Sequence, residues 1–395
     1  MSPTYTAATA SGQVIAWRDR KRWAWLLSVA WPLLPLLGLW AHHASGREIA
    51  LALPLLISYG LMPLLDAWLG EDENNPPEAV VAQLEADRYY RWLTWATVPL
   101  HFGAMIACAW WAGTQELSWW AVALLAYVIG ADSGLGLNTA HELGHKHNRL
   151  EQLLARLALA VPAYGHFTVE HGRGHHRWVA TPEDHASARM GESIYRFALR
   201  ELPGGIRRAW ALESDRLRQE GRGPWSWHNT MLQSYAVTLL LQGALVVAFG
   251  WLMLPFLAIH NLVAWWQLTS ANYVEHYGLL RLKGPDGRYE PPQPHHSWNA
   301  NHLVTNLATF HLQRHSDHHA NPSRRYQCLR HFADLPQLPS GYFGMFPVAY
   351  WPRWWFRVMD PRLMALPQVR GDLAQVNVCP HARVALQARW GVGTG

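Results

Sequence analysis

The stretch "LQRHSDHHA" (312–320) carries three imidazoles, His315, His318 and His319, with Asp317 between them. Imidazole is the commonest protein ligand for transition metals, and a carboxylate beside it can hold the ring's second N–H. Three further segments repeat the theme: "HELGHK" (141–146), "EHGRGHH" (170–176) and "NYVEHYGL" (272–279). Residues four apart share a helix face, so His141 and His145 are expected to reach one centre, and His171 and His175 likewise. His315 and His318, three apart, also share a face. The neighbours His175–His176 and His318–His319 diverge by about 100°, which leaves one ring of each pair for a second metal. With His276 the segments supply nine rings, too many for one metal and suited to two. Glu142, Glu170, Glu275 and Asp317 are interleaved with them and are expected to accept ring N–H groups and so fix the tautomers. Ligand type alone does not choose among zinc, copper, iron and nickel.

Segments so far apart need a scaffold that gathers them, and the hydropathy pattern supplies it. Half of the 395 residues are hydrophobic and only 15% are charged, against about 25% charged in ordinary soluble chains. The mean hydropathy of −0.10 is diluted by long polar loops. Windows of about 20 apolar residues, enough to cross a bilayer, recur along the chain. They lie at 23–41, 49–69 (with Asp66 in the last turn), 92–113 and 118–138. A longer run over 231–271 is expected to fold back near Pro255 as a fifth and sixth span. The 24 tryptophans suit the membrane–water interface.

Orientation follows from the basic residues. Arg18, Arg20, Lys21 and Arg22 precede the first window, and the loops on the opposite side hold only Arg47. Both termini are therefore expected in the cytoplasm. The net charge of +5 and the pI of about 9.2 follow from that topology and call for no nucleic acid. Polar residues before Trp17 and a long first apolar run argue against a cleavable signal peptide. Cys108, Cys328 and Cys379 form no CxxC pair, so neither a disulfide framework nor a thiolate metal site is encoded.

The expected fold class is all-α integral membrane, with six transmembrane helices and a cytoplasmic His-rich cap for two metals, multi-pass in the inner (plasma) membrane. Its parts are a cytoplasmic N-terminal segment (1–22), helices one to four (23–138) and a cytoplasmic loop with the first two His segments (139–230). Helices five and six (231–271) and a cytoplasmic C-terminal region with the other two (272–395) complete it. All four His segments then fall at one membrane face.

Other histidines are read as packing residues: His42, His43 and His101 lack clustered partners, and His166, His302 and His311 lie beside the segments. His260 falls deep in the sixth window. Asp132 either orients a ligand or faces an aqueous pocket. "HELGH" is also a literal H-E-x-x-H, the zinc-protease signature, but that chemistry uses three protein ligands and leaves the other rings without a task. A metal transporter would string histidines and acids through the bilayer midplane, whereas here they gather beyond the ends of the spans.

Taken together, the four segments resemble the motif set of the membrane-bound alkane 1-monooxygenases, non-haem di-iron hydroxylases of n-alkane methyl ends. The likeness extends to "LDAWLGED" (65–72) and "TPEDHASARMGES" (181–193), and so covers nearly the whole chain. Two of the segments alone would also admit fatty-acid desaturases, sterol oxidases or xylene monooxygenases of the same membrane desaturase/hydroxylase superfamily; "NYVEHYG" and "LQRHSDHHANP" are more particular to alkane hydroxylases. His147 and His185 depart from the pattern and are read as surplus. The resemblance implies two non-haem iron ions, dioxygen, an n-alkane entering from membrane lipid, and an external electron donor. That donor is usually rubredoxin, kept reduced by an NADH-dependent rubredoxin reductase. Ser58, about eleven residues and ~16 Å from the cytoplasmic end of the second window, is expected to set the floor of the alkane channel. Arg324, Arg325 and Arg330 are expected to form a basic patch that steers an acidic donor.

Overall fold

An antiparallel hairpin of β1 (Thr4–Ala8) and β2 (Val14–Arg18) begins the structure, a computed structural model that describes residues 2–391. It is the exception to an otherwise helical chain. Five helices are long and apolar enough to cross a membrane: α1 (Leu26–Ser45), α2 (Glu48–Leu69), α3 (Arg88–Thr114), α4 (Trp119–Gly144) and α5 (Thr230–Phe249). The most apolar window of α5 is only 17% buried by protein, and Leu239, Leu240 and Val247 point outward from it. An apolar helix with so little protein cover needs lipid around it.

The remaining expected window forms one further helix, α6 (Met253–His276). His260, Asn261, Gln267 and Asn272 make it too polar to join the other five. The turn before it lies at Gly250–Leu252, with Gly250 at φ 78°, earlier than expected. Pro255 stands inside the first turn of α6, where the backbone N–H has no intrahelical partner and proline costs little.

Apart from Trp351 and Trp354 in the C-terminal segment, the exposed tryptophans fall in two groups. Trp40, Trp110, Trp119, Trp120 and Trp251 mark one end of the bundle, and Trp23, Trp68, Trp92, Trp225 and Trp227 mark the other. A 20-residue helix such as α1 separates them by ~30 Å, the thickness of a hydrocarbon core.

α6 lies along α4, and small residues permit it. A Cβ on Gly130 would stand 2.7 Å from the His260 carbonyl, and one on Gly134 would overlap the Gln267 side chain. His260 spends both nitrogens on this packing, at 2.9 Å from Ser133 Oγ and 2.9 Å from Asn261 Oδ1. It is a satisfied core histidine. Asp132 faces His101 Nδ1 at 3.5 Å and orients no clustered ring.

The C-terminal ends of α2, α4 and α6 converge on one cap. α4 runs past 138 to Gly144, so the first His segment is helical and belongs to the bundle. Asp66, at the end of α2, accepts from the backbone N–H groups of Val304 and Thr305 at 2.9 and 3.0 Å and so anchors the short helix Leu303–Ala308. The largest buried apolar cluster, around Tyr273, Tyr277, Trp298 and Trp355, binds α6 to the C-terminal segment.

Candidate metal centre

The nine histidines singled out by spacing come together in two groups. His141, His145, His171, His176 and His318 form one; His175, His276, His315 and His319 form the other. Within each, one nitrogen per ring lies within 4.8 Å of all the others. His42, His43, His101, His147 and His260 belong to neither.

Each ring is delivered by a different local device. His141 and His145 follow the four-residue rule at the end of α4. His171 and His175 do not, because Glu170–His175 is a π-helical turn. Its bonds run from i to i+5, so His171 pairs with His176, Nε2 to Nε2 3.0 Å, and His175 turns to the other group. The expected His315–His318 pairing also fails. His315 shares its group with His319, Nε2 to Nε2 3.0 Å, and His318 joins the first. His276 ends α6, with its Nδ1 3.2 Å from the His296 carbonyl. The helix His315–Ala320 is fixed by its buried predecessor Arg314, which donates to Asp72 Oδ2 (2.9 Å), Asn301 Oδ1 (3.0 Å) and the Leu329 carbonyl (2.7 Å).

These nitrogens are placed as ligands would be, and hydrogen bonding among the rings does not account for them. His315 Nε2 lies 3.1 Å from His276 Nε2 and 3.0 Å from His319 Nε2; one lone pair cannot accept both. Two nitrogens at right angles on one metal at ~2.1 Å would be about 3.0 Å apart. Nε2 of His141, His145, His175 and His318 is buried without any partner. Each such orphan costs about 1–3 kcal/mol, and four cost ~4–12 kcal/mol, comparable with the stability of a whole domain. A metal ion shared by each group removes that cost, so the donor set fits two ions.

Carboxylates surround the rings, but Glu275 faces the nitrogen that His315 turns to its own group and not that ring's free N–H. Glu275 Oε2 is 3.4 Å from His315 Nε2 while Tyr342 OH donates to its Oε1 at 2.8 Å. The other three bond elsewhere. Glu142 meets Lys146 Nζ at 3.1 Å, Glu170 meets Arg208 Nε at 3.0 Å, and Asp317 meets Arg330 at 2.8 Å. The acid that holds a ring is Asp184, whose Oδ2 is 2.8 Å from His175 Nδ1. That contact fixes the tautomer and leaves His175 Nε2 free. Nothing in the nine-residue separation within an irregular loop signals it.

Electrostatics divides the rings the same way. Burial, then the charge of neighbouring rings, holds His171, His176, His315, His318 and His319 below the usual imidazole range. They are neutral, the form that ligates. Burial opposes a charge on His175 as well, but Asp184 outweighs it and raises His175. Asp184 itself is lowered: burial works against its ionisation, and His175 and Arg208 overcome that.

An apolar cavity reaches the rings from the bundle. Ala131, Leu135, Phe167, Leu268, Phe343 and Phe346 wall it, and His141, His171, His315 and Glu275 close its head. A second hollow shares Ala131, Leu135 and Phe343 and continues to Trp31, Leu55 and Ser58. Ser58 thus lies at the remote end, in a π-helical turn (Ile57–Leu61), its Oγ donating to the Pro54 carbonyl at 2.9 Å.

Arg324, Arg325 and Arg330 do not present a free basic patch. Arg324 pairs with Glu78 at 2.9 Å, Arg325 with Glu151 at 2.9 Å, and Arg330 with Asp317 and Glu78. Their charges tie the cap together.

The fatty acid desaturase family matches this chain over residues 117–357. The alkane 1-monooxygenase of Ectopseudomonas oleovorans is 52% identical to it, across 95% of this chain and 93% of its own. Alkane 1-monooxygenase 1 of Alcanivorax borkumensis is 53% identical, across 95% and 92%. An alkane 1-monooxygenase of Pseudomonas putida is 53% identical, across 91% and 89%.

Proposed function

The chain belongs to the alkane 1-monooxygenases, within the fatty acid desaturase family, and from that premise we propose that it hydroxylates the terminal methyl of n-alkanes at a site of two non-haem irons. The reaction takes O2 and two electrons from a rubredoxin-type donor. The observation that carries this reading is the pair of imidazole groups at the head of an apolar cavity.

One ion would be held by His141, His145, His171, His176 and His318, the other by His175, His276, His315 and His319, with Asp184 and Glu275 at their edges. Bound there, iron supplies the reduction of dioxygen and the oxidation of the C–H bond. The protein does the rest. Leu135, Leu268, Phe343 and Phe346 offer the alkane a surface without hydrogen-bonding groups and keep bulk water from the rings. A primary C–H bond is stronger than those along the chain, so selectivity for the end must come from presenting the methyl first. A slot that runs from Ser58 to the rings admits an alkane in that orientation.

We read α1–α6 as six spans of the inner membrane, with both termini and the cap in the cytoplasm. Support comes from the two tryptophan levels and from the segments 46–47, 115–118 and 250–252, where Arg47 is the one basic residue. Donor docking at Arg324, Arg325 and Arg330 stays part of the proposal, as a surface on which the exposed Glu78 masks two of the three charges.

The test is product analysis with purified protein, a rubredoxin-type donor and octane or dodecane under 18O2. The expected product is the 1-alcohol carrying one 18O. Subterminal alcohols, or oxygen from water, would contradict the reading.

A further inference from the structure

Hydroxylation consumes protons as well as electrons: RH + O2 + 2e− + 2H+ gives ROH + H2O, with the electrons drawn from an external one-electron carrier. The protons must reach a site walled by apolar side chains. Three hollows lie in a row between that site and the surface. The innermost is the alkane cavity. A small polar hollow adjoins it across a partition of Phe167, His171 and Asn272. The outermost is an open groove along the helix Ile194–Gln219, bordered by Arg200, Pro203 and Arg207. The half-buried His185 ring stands between groove and hollow and lines both. It lies against Gly204, where any Cβ would overlap it.

Glu201 forms the inner wall of the small hollow. Its carboxyl is 5% exposed and accepts from Thr269 Oγ1 at 2.8 Å and Asn272 Nδ2 at 3.2 Å, both on α6. Among the described residues no cation pairs with it. Arg208, on the same helix, is spent on Glu170 and Asp184, and Arg200 on Glu192. The titratable groups facing it across the hollow are Tyr164, His166, Glu170, His171 and His185, and His166 is tied to Tyr235 at 2.9 Å. A buried carboxyl without a counter-ion resists ionisation. Burial pushes Glu201 up to about 7, in spite of its two hydrogen bonds. A carboxyl that exchanges its proton near neutral pH is suited to relaying one.

From this arrangement we infer that His185 and Glu201 relay protons from the outer groove to the alkane cavity. Burial and the guanidinium groups of Arg208, Arg200 and Arg207 disfavour a charge on His185 while Asp184 favours it, so His185 takes a proton at the groove only in passing, as a transient imidazolium. It passes that proton across the small hollow to the Glu201 carboxylate, and Glu201 releases it past Asn272 to the cavity beside His171 and Glu275. Each transfer moves one proton and no electron, and both residues return to their starting forms. The inference rests on the hydroxylation reading of the same site.

Glu201→Gln keeps the shape and one of the two acceptor oxygens but cannot carry a proton. Its turnover should fall roughly 100-fold with iron content and alkane KM unchanged, and with a larger solvent deuterium isotope effect. His185→Ala should also slow turnover and recover with added imidazole, which the open groove admits. A readout independent of activity comes from infrared difference spectra of the zinc-loaded protein between about pH 6 and pH 8. One component of the protonated-carboxyl signal should titrate in the parent and be missing from Glu201→Gln, beside the components of other buried carboxyls such as Asp360, which burial also raises. Should that variant lose metal, the His185→Ala and imidazole pair decides. Parent-like turnover and isotope effect in either variant, or an unchanged carboxyl band, would overturn the relay. Failure of the parent to hydroxylate alkanes would instead sink the reading on which it rests, while the infrared result would still report on Glu201.

Discussion

Asp184 holds His175 from a loop that the spacing of histidines says nothing about, and it illustrates what single residues can and cannot announce. All nine rings were legible because each lies in a dense segment, and metal-capable residue types at short intervals are rare by chance. Which acid serves which ring was not legible. Glu142, Glu170 and Asp317 stand beside clustered rings in sequence yet bond Lys146, Arg208 and Arg330, since neighbours in a helix point apart. Replacing any of the nine rings by alanine should lower bound metal and end hydroxylation, while His147→Ala, outside both groups, should change neither. Asp184→Asn removes the charge and keeps the shape. Metal titration of the stripped protein should show an affinity about 10–100-fold weaker, and an unchanged affinity would mean that Asp184 does not support His175 in ligation.

Helical period decides which rings work together, and here the sequence misleads. An α-helical reading pairs His171 with His175, but the π-helical turn shifts the shared face by one residue and pairs His171 with His176. Nothing local in "EHGRGHH" forces that turn; the tertiary contacts of Glu170 and Asp184 with Arg208 hold it from outside. Deleting Gly172, which is exposed and makes no contact a Cβ would disturb, should return the segment to α-helical period with His171 and His176 now four apart and still on one face. We expect bound metal and helix content by circular dichroism to be preserved. Loss of metal would show that the π-helical turn itself, and not only the shared face, is needed. The second π-helical turn carries Ser58. Ser58→Trp should fill the remote end of the slot and shift preference toward shorter alkanes; the measurement is relative turnover across an alkane series, and an unchanged profile would place the floor elsewhere.

At the scale of the molecule, hydropathy marked in advance the five helices long and apolar enough to cross a membrane, because a bilayer imposes one length and one polarity on every span. The cap followed no such rule. Its ion pairs join segments hundreds of residues apart, such as Arg324 with Glu78, so the arginines expected to attract a donor turned out to be engaged. Glu78→Gln should unmask Arg324 and Arg330. At low salt the apparent KM for an acidic rubredoxin should then fall severalfold, and the gain should vanish at high salt. Indifference to both would move the docking surface away from these residues. The account as a whole turns on two groups of rings each holding one ion, and elemental analysis of the purified protein by mass spectrometry measures that directly. Two irons per chain are predicted, falling when either His145 or His319 is replaced by alanine. A single bound ion per chain, or zinc in place of iron, would contradict it.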